Sequence, residues 1–245
     1  MLRLFIDSVR SFITYTAMMV ATIIVTSTVI IIASVNRTSP VIDRVIHWWS
    51  WTWLWVTGTS LEVRGSFDPE QSYVVISNHS SWLDIMANFI ATPVPLRFLA
   101  KKELFQIPLL APAMRAIGIV EIDRSKAVSL HEWINEQAAT VANRAQSIMV
   151  YPEGTRTRTG ELQRFKVGAF FIAVENQLPV LPVAIHGSWD AWPPGPLVHG
   201  GSIVVEIGEP IPTEGLTKDD VRGLTRNAEG VIARMLEGLR SPASG

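Results

Sequence analysis

The stretch SNHSSWLDI, Ser77–Ile85, places one histidine, His79, five positions before one aspartate, Asp84. An imidazole aimed by a carboxylate can take a proton from a hydroxyl. The carboxylate accepts a hydrogen bond from one ring nitrogen, and the other nitrogen is left as the base. The same residues also read as the start of a helix, because Ser81 and Asp84 have the spacing of a capping box in which Asp84 takes a backbone N–H of the first turn. The two roles are compatible, since a carboxylate has two oxygens. With five histidines in 245 residues, one His–Asp spacing carries little weight alone. Its surroundings must decide.

A second stretch, YPEGTRTRTGELQRFKVGAF, Tyr151–Phe170, is rich in groups that hold anions. Glu153, Gly154, Thr155 and Arg156 make a tight turn ending in a guanidinium, and Arg158, Arg164 and Lys166 follow. Arginine grips phosphate through two parallel N–H bonds, and glycine lets backbone amides approach an anion. The net charge of −1 gives no dense basic face for nucleic acid. Between Arg97 and Lys166, however, eleven Lys/Arg stand against seven Asp/Glu, a local excess that suits a small anionic substrate. The chain has no cysteine, which excludes disulfides, thiolate zinc sites and a cysteine nucleophile. No His/Asp/Glu spacing suggests a metal site. His186-Gly187-Ser188 lacks the Gly-x-Ser-x-Gly frame of a hydrolase, and His47, His131 and His199 have no setting like that of His79.

These residues must be positioned by the elements around them. From about Leu61, short apolar runs alternate with helical patterns. LEVRG, YVVIS, LRFLA, GIVEID, SIMVYP, PVLPVAI and SIVVEIG read as strands. Helices are expected near 81–91, 108–116, 126–145, 166–176 and 217–239, the last opened by a Thr217–Asp220 capping box. Such alternation argues for an α/β layer structure, and the absence of repeats or a second linker makes 61–245 one domain. His79 falls in the turn between YVVIS and the helix that follows. The Pro/Gly-rich loop 189–201 reads as a surface excursion.

Residues 1–60 have a different texture. Ser11–Asn36 is a 26-residue run without a charge; as a helix it would reach about 39 Å, more than the roughly 30 Å hydrocarbon core of a bilayer. It is longer than the apolar region of a cleaved signal peptide, about 7–15 residues. Ser39 and Pro40 then read as N-cap and first residue of a second helix, VIDRVIHWWSWTWLWVT. In it Asp43, His47, Ser50 and Thr57 form a polar stripe interrupted by Leu54, while five of the nine tryptophans fall on the other faces, as suits a headgroup layer. Arg3 and Arg10 on one side of the first run balance Arg37 and Arg44 on the other, so charge does not set its orientation. The pair reads as a membrane-embedded or interfacial two-helix segment that either dips into one leaflet or spans with its first helix.

NHSSWLD followed by YPEGTR resembles the signature pair of the glycerolipid acyltransferases, the 1-acylglycerol-3-phosphate acyltransferase family. KKELFQIPLLAPAMRAIGIVEIDR, Lys101–Arg124, resembles that family's second block and LPVLPVAI, Leu178–Ile185, its fourth, so the likeness runs over about 60–210. Ala111 stands where many members carry glycine. The resemblance implies a single acyltransferase domain with a mixed sheet flanked by helices. It implies a membrane enzyme facing the cytoplasm that transfers a fatty acyl group from acyl-CoA or acyl-carrier protein to lysophosphatidate, with no cofactor. His79 would be the base and Asp84 its partner. Glu153, Gly154, Thr155 and Arg156 would bind the glycerol phosphate, with Arg124, Lys102 and Lys166 near the same anion. Glycerol-3-phosphate, a lyso-aminolipid or another lysophospholipid are alternative acceptors, and a non-catalytic lipid-binding role is the alternative of a different kind.

Overall fold

The computed structural model describes residues 2–92, 95–122 and 146–240. The expected helix over 126–145 lies outside them, as do Arg124 and His131. The chain runs α1 (Leu2–Val35), α2 (Pro40–Thr57), β1 (Thr59–Arg64), β2 (Val74–Ser77), α3 (Leu83–Ala91), β3 (Leu96–Lys101), a 3-10 turn (Lys102–Gln106), α4 (Leu110–Ala116) and β4 (Val120–Ile122). It continues through β5 (Ser147–Val150), α5 (Gly168–Glu175), β6 (Val180–His186), α6 (Ser188–Ala191), β7 (Gly201–Ile207), a 3-10 turn (Lys218–Asp220) and α7 (Val221–Arg240). The expected strands are all present. The capping box of Thr217 and Asp220 forms as the spacing implied, but it caps the 3-10 turn leading into α7.

The seven strands form one mixed sheet in the order β1-β7-β6-β2-β5-β3-β4. Among the described strands only β6 and β7 pair antiparallel. Strands buried on both faces read as unbroken apolar runs, and Val74–Ile76 and Val180–Ile185 do so. Their side chains alternate between two cores. Val75, Leu181, Val183 and Ile185 meet Leu83, Met86 and Ala87 of α3. Val74, Ile76, Val180 and Ala184 meet Phe170 and Ala173 of α5 and Ala228 and Ile232 of α7. The chain therefore leaves β2 across one face through α3 and leaves β5 across the other through α5. The carboxyl ends of β2 and β5, side by side, open where these connections part. That is the usual place for a ligand crevice in an α/β sheet.

The first helix is held along its length. Its buried stripe runs Asp7, Ser11, Thr14, Met18, Ala21, Val25, Val29 and Ala33, the spacing of one helical face. At its start, Ser11 Oγ accepts from Val198 N–H (2.8 Å), Asp7 Oδ2 meets His199 Nδ1 (3.1 Å), and Tyr15 stands edge-on to Trp192. Near its end, Val25, Val29 and Ala33 pack with Ile42, Ile46 and Ala113. The loop read as a surface excursion is thus partly interior: Trp192 and Val198 are buried and belong to the main core. The opposite face of α1 exposes Phe5, Phe12, Ile13, Met19, Ile23, Ile24 and Ile31. Phe5–Val35 is long and apolar enough to cross a membrane.

Ser39 caps α2 and accepts from Val41 N–H, with Pro40 in the first turn. The face α2 buries differs from the polar stripe read in the sequence. Ile42, Ile46, Ser50, Leu54 and Thr57 point inward. Ser50 and Thr57 return their hydroxyls to Ile46 and Trp53 carbonyls, so they enter the interior without an unpaired donor. Asp43 binds Arg97 of β3 at 3.2 Å. Trp48, Trp51 and Trp55 remain exposed. Removing a buried leucine side chain costs about 2–5 kcal/mol. Leu54→Ala should lower the stability of the detergent-solubilised chain by about that amount in chemical denaturation, while Trp55→Ala, 81% exposed, changes it by less than about 0.5 kcal/mol. Equal losses would contradict the docking of α2 through Leu54.

Candidate active site

The strand β2 ends at Ser77, and the next residue keeps the sheet's pairing with a side chain. Asn78 Nδ2 donates to Ile185 C=O and Asn78 Oδ1 accepts from Ile185 N–H, both at 2.8 Å. The backbone is thereby released to turn at His79. Asp84, in the first turn of α3 and fully buried, closes that turn. Its Oδ2 accepts from Ser80 N–H (2.6 Å), Ser81 N–H (2.7 Å) and His79 Nδ1 (2.9 Å). The capping role and the imidazole-orienting role therefore meet on one oxygen. With Nδ1–H committed to Asp84, Nε2 is the basic nitrogen. The imidazole lies flat on Tyr151, ring centroids 3.9 Å apart and planes 13° from parallel. Tyr151 is partly buried; desolvation of its phenol pushes that group well above the ordinary range, and the hydroxyl accepts from Asn88 Nδ2 (3.1 Å) on α3. The plane and tilt of the His79 ring are thus fixed from two sides.

The second turn is tied directly to the first. Glu153 Oε1 accepts from His79 N–H (2.7 Å) and Glu153 Oε2 from Gln163 N–H (3.1 Å), while Thr157 N–H donates to His79 C=O (2.9 Å). Both oxygens of Glu153 are engaged by the chain itself. The residue braces the two turns, a role additional to the glycerol-phosphate ligand that the resemblance implied. Gly154 has φ 79°, and Lys166 Nζ lies 2.6 Å from where a Cβ at this position would stand. The turn needs glycine both for its left-handed backbone and for the lysine folded over it. Thr155 is exposed and gives its carbonyl to Gln163 Nε2.

Arg156 is half-buried with its guanidinium carbon 4.1 Å from the centroid of the Trp82 ring. Burial lowers its pKa and the nearby Asp84 carboxylate raises it. The structure thus brings together His79, Asp84, Glu153, Gly154, Thr155, Arg156 and Lys166 at the ends of β2 and β5. Lys102 stands where β3 ends, one strand further along the sheet. Arg124 lies outside the described residues. Tyr151, Asn78, Asn88 and Trp82 were not read as site residues from the sequence. Trp82 and Asn78 lie inside the quoted motif itself, but their partners are 74 and 107 positions away. A cavity of about 370 Å³ adjoins the site, lined by His79, Ser80, Glu153, His186, Asp190 and Arg240 among others.

Burial pushes the Glu153 carboxyl up from its ordinary 4.5 to about 7, against the lowering influence of its bonds from His79 and Gln163. A carboxyl raised in the folded state binds its proton more tightly there than in the unfolded chain. Its contribution to stability is complete below about pH 4.5 and is lost as pH rises through about 7. Glu153→Gln cannot ionise. The stability of the wild type relative to this variant should therefore fall between pH 4.5 and pH 8, by on the order of 3 kcal/mol. A difference independent of pH in denaturation experiments would contradict burial as the dominant influence.

A family model described as Acyltransferase matches residues 60–186, just over half of the chain. The chain is 36% identical over 170 residues to human 1-acyl-sn-glycerol-3-phosphate acyltransferase alpha, covering 68% of this chain and 60% of that protein. It is 34% identical over 174 residues to the 1-acyl-sn-glycerol-3-phosphate acyltransferase of Saccharomyces cerevisiae, covering 70% of this chain and 56% of that protein. The chain therefore spans little more than half the length of these relatives. The crystal structure of the 1-acyl-sn-glycerophosphate acyltransferase PlsC from Thermotoga maritima superposes with a TM-score of 0.85 at 24% identity, covering 99% of this chain and 100% of that one. The fold is therefore shared over its whole length. A His–Asp turn braced against a Glu-Gly-Thr-Arg turn lies within the matched span, and the chain belongs to the acyltransferase family.

Proposed function

We propose that this chain transfers a fatty acyl group from an acyl thioester to the sn-2 hydroxyl of 1-acylglycerol-3-phosphate, giving phosphatidate. The observation that carries the reading is the Glu153 bond to His79 N–H, which locks the turn bearing the base to the turn bearing Arg156. His79 Nε2 takes the proton of the acceptor hydroxyl as its oxygen attacks the thioester carbonyl. The new C–O bond forms, the C–S bond breaks, and the proton passes from the imidazole to the departing thiolate. Asp84 holds the ring and stabilises the imidazolium, and Tyr151 covers the face of that ring. Arg156 holds the phosphate, and Lys166, folded over Gly154, adds positive charge beside it. Lys102 and Arg124 are proposed to add to the same field. The relatives' names support this acceptor, and acyl-CoA or acyl-carrier protein is the proposed donor, with no cofactor taking part.

General-base catalysis contributes roughly 10²–10⁴-fold. His79→Ala should reduce kcat at least about a hundred-fold in an assay of thiol release with lysophosphatidate; retention of more than a tenth of wild-type kcat would remove His79 from this role. A charged hydrogen bond is worth about 1.5–3 kcal/mol. Arg156→Ala should raise KM for lysophosphatidate with kcat less affected, and an unchanged KM would move the phosphate site elsewhere.

We further propose that residues 1–60 anchor the enzyme in one leaflet on the cytoplasmic side, the remaining residues forming the catalytic domain. Because α1 is docked from Asp7 to Ala33, its free apolar face and the exposed Trp48, Trp51 and Trp55 enter lipid together. The lack of cysteine allows a direct test. Single cysteines at Arg3, Arg37 and Arg222 should all react with an impermeant maleimide from the same side of sealed vesicles. Protection of Arg3→Cys or Arg37→Cys until permeabilisation would show instead that α1 crosses.

A further inference from the structure

Trp82 is an apolar residue in a place where the motif does not need one. It stands at the start of α3, directly after Ser81, whose N–H donates to Asp84, and leaves 38% of its surface exposed. Its side chain makes no cap bond to the helix. Its ring is instead the floor under Arg156, whose guanidinium carbon lies 4.1 Å from the ring centroid. Among the described residues Arg156 takes part in no ion pair. The half-buried guanidinium, which feels the Asp84 carboxylate without pairing with it, lies over the face of an indole.

That mode of holding has a geometric consequence. A carboxylate would occupy the edge of the guanidinium plane, where its N–H groups point. An aromatic ring occupies the face and leaves the edge unobstructed. The edge is the part that meets two oxygens of a phosphate in parallel. We infer that Trp82 is a positioning residue for acceptor recognition: its indole fixes the plane of Arg156 so that the N–H fork receives a phosphate monoester edge-on. This rests on the proposed acyl transfer to lysophosphatidate and adds a residue that sets acceptor affinity without touching the base. Trp82 shares a turn with His79 but acts through Arg156. Its effect therefore belongs in KM for the acceptor.

The test is steady-state acyl transfer from an acyl-CoA to 1-oleoyl lysophosphatidate by the detergent-solubilised full chain, with thermal unfolding recorded for each variant. Trp82→Leu should raise KM for lysophosphatidate about ten-fold, the range of a partly desolvated cation–π contact, with kcat within about two-fold of wild type. Trp82→Phe, which keeps a ring, should stay within about three-fold of the wild-type KM. In an Arg156→Ala background, Trp82→Leu should add almost nothing, because the interaction partner is gone. A KM unchanged in Trp82→Leu overturns the inference, as does an equal effect with and without Arg156, or a loss confined to kcat. Should Trp82→Leu fold poorly, Trp82→Phe alone decides between the two: a KM raised as far as in Arg156→Ala overturns the role of the ring. A wild type that transfers no acyl group to lysophosphatidate under any of these conditions overturns the proposed function and this inference with it; an active wild type with a KM insensitive to Trp82 overturns this inference alone.

Discussion

One hydrogen bond, from His79 N–H to the Glu153 carboxylate at 2.7 Å, sets the geometry on which the rest of the site depends. The two turns it joins lie 74 residues apart in the chain and leave neighbouring strands of the sheet. Nothing local would hold them in register. A carboxyl buried between two backbone donors does so, at the cost of removing it from water. The Thr157 N–H bond to His79 C=O makes the connection two-stranded, so the turns are fixed in orientation as well as distance. A base on one turn and a guanidinium on the other can then act on a single molecule.

The fold prepares this junction. β2 is flanked by β5 and β6, and the connections on either side of it pass over opposite faces of the sheet. Its carboxyl end must therefore open into a crevice. Asn78 ends the pairing by lending its amide to Ile185, and Asp84 closes the turn by gathering three hydrogen bonds on one oxygen. The N-terminal helices reach the same region from outside. Tyr15 and Trp53 lie against Trp192, and the Trp192 carbonyl accepts from Ser81 Oγ, two bonds from Asp84. The N-terminal helices are thus built onto the turn that carries His79.

Much of this was legible in the sequence where the information is local. The strands announce themselves as β-branched apolar runs, the helix start through Ser81 and Asp84, and the sharp turn through Gly154. The dual use of Asp84 was legible in its spacing from His79 and Ser81, although both roles fall on one oxygen rather than on two. What depended on distant partners was not legible. The bracing role of Glu153 was hidden because a carboxylate beside an arginine in a turn gives no sign that two backbone amides will meet it. That Ser50 and Thr57 of the α2 stripe turn inward was not legible, because serine and threonine can satisfy themselves on their own helix and so enter a core as easily as leucine. Loop 189–201 looked like surface because proline and glycine mark turns without telling what will lie over them, and α1 lies over this one. Tyr151 and Trp82 reveal their parts only when their flat faces are seen against an imidazole and a guanidinium.

The central claim is that the two braced turns serve one bound acceptor. It is tested most directly by a crystal structure of the chain with lysophosphatidate. The account predicts the free hydroxyl within about 2.6–3.2 Å of His79 Nε2 while the phosphate of the same molecule lies in the plane of the Arg156 guanidinium. A phosphate held elsewhere, or a hydroxyl beyond reach of the imidazole when the phosphate is on Arg156, would contradict it.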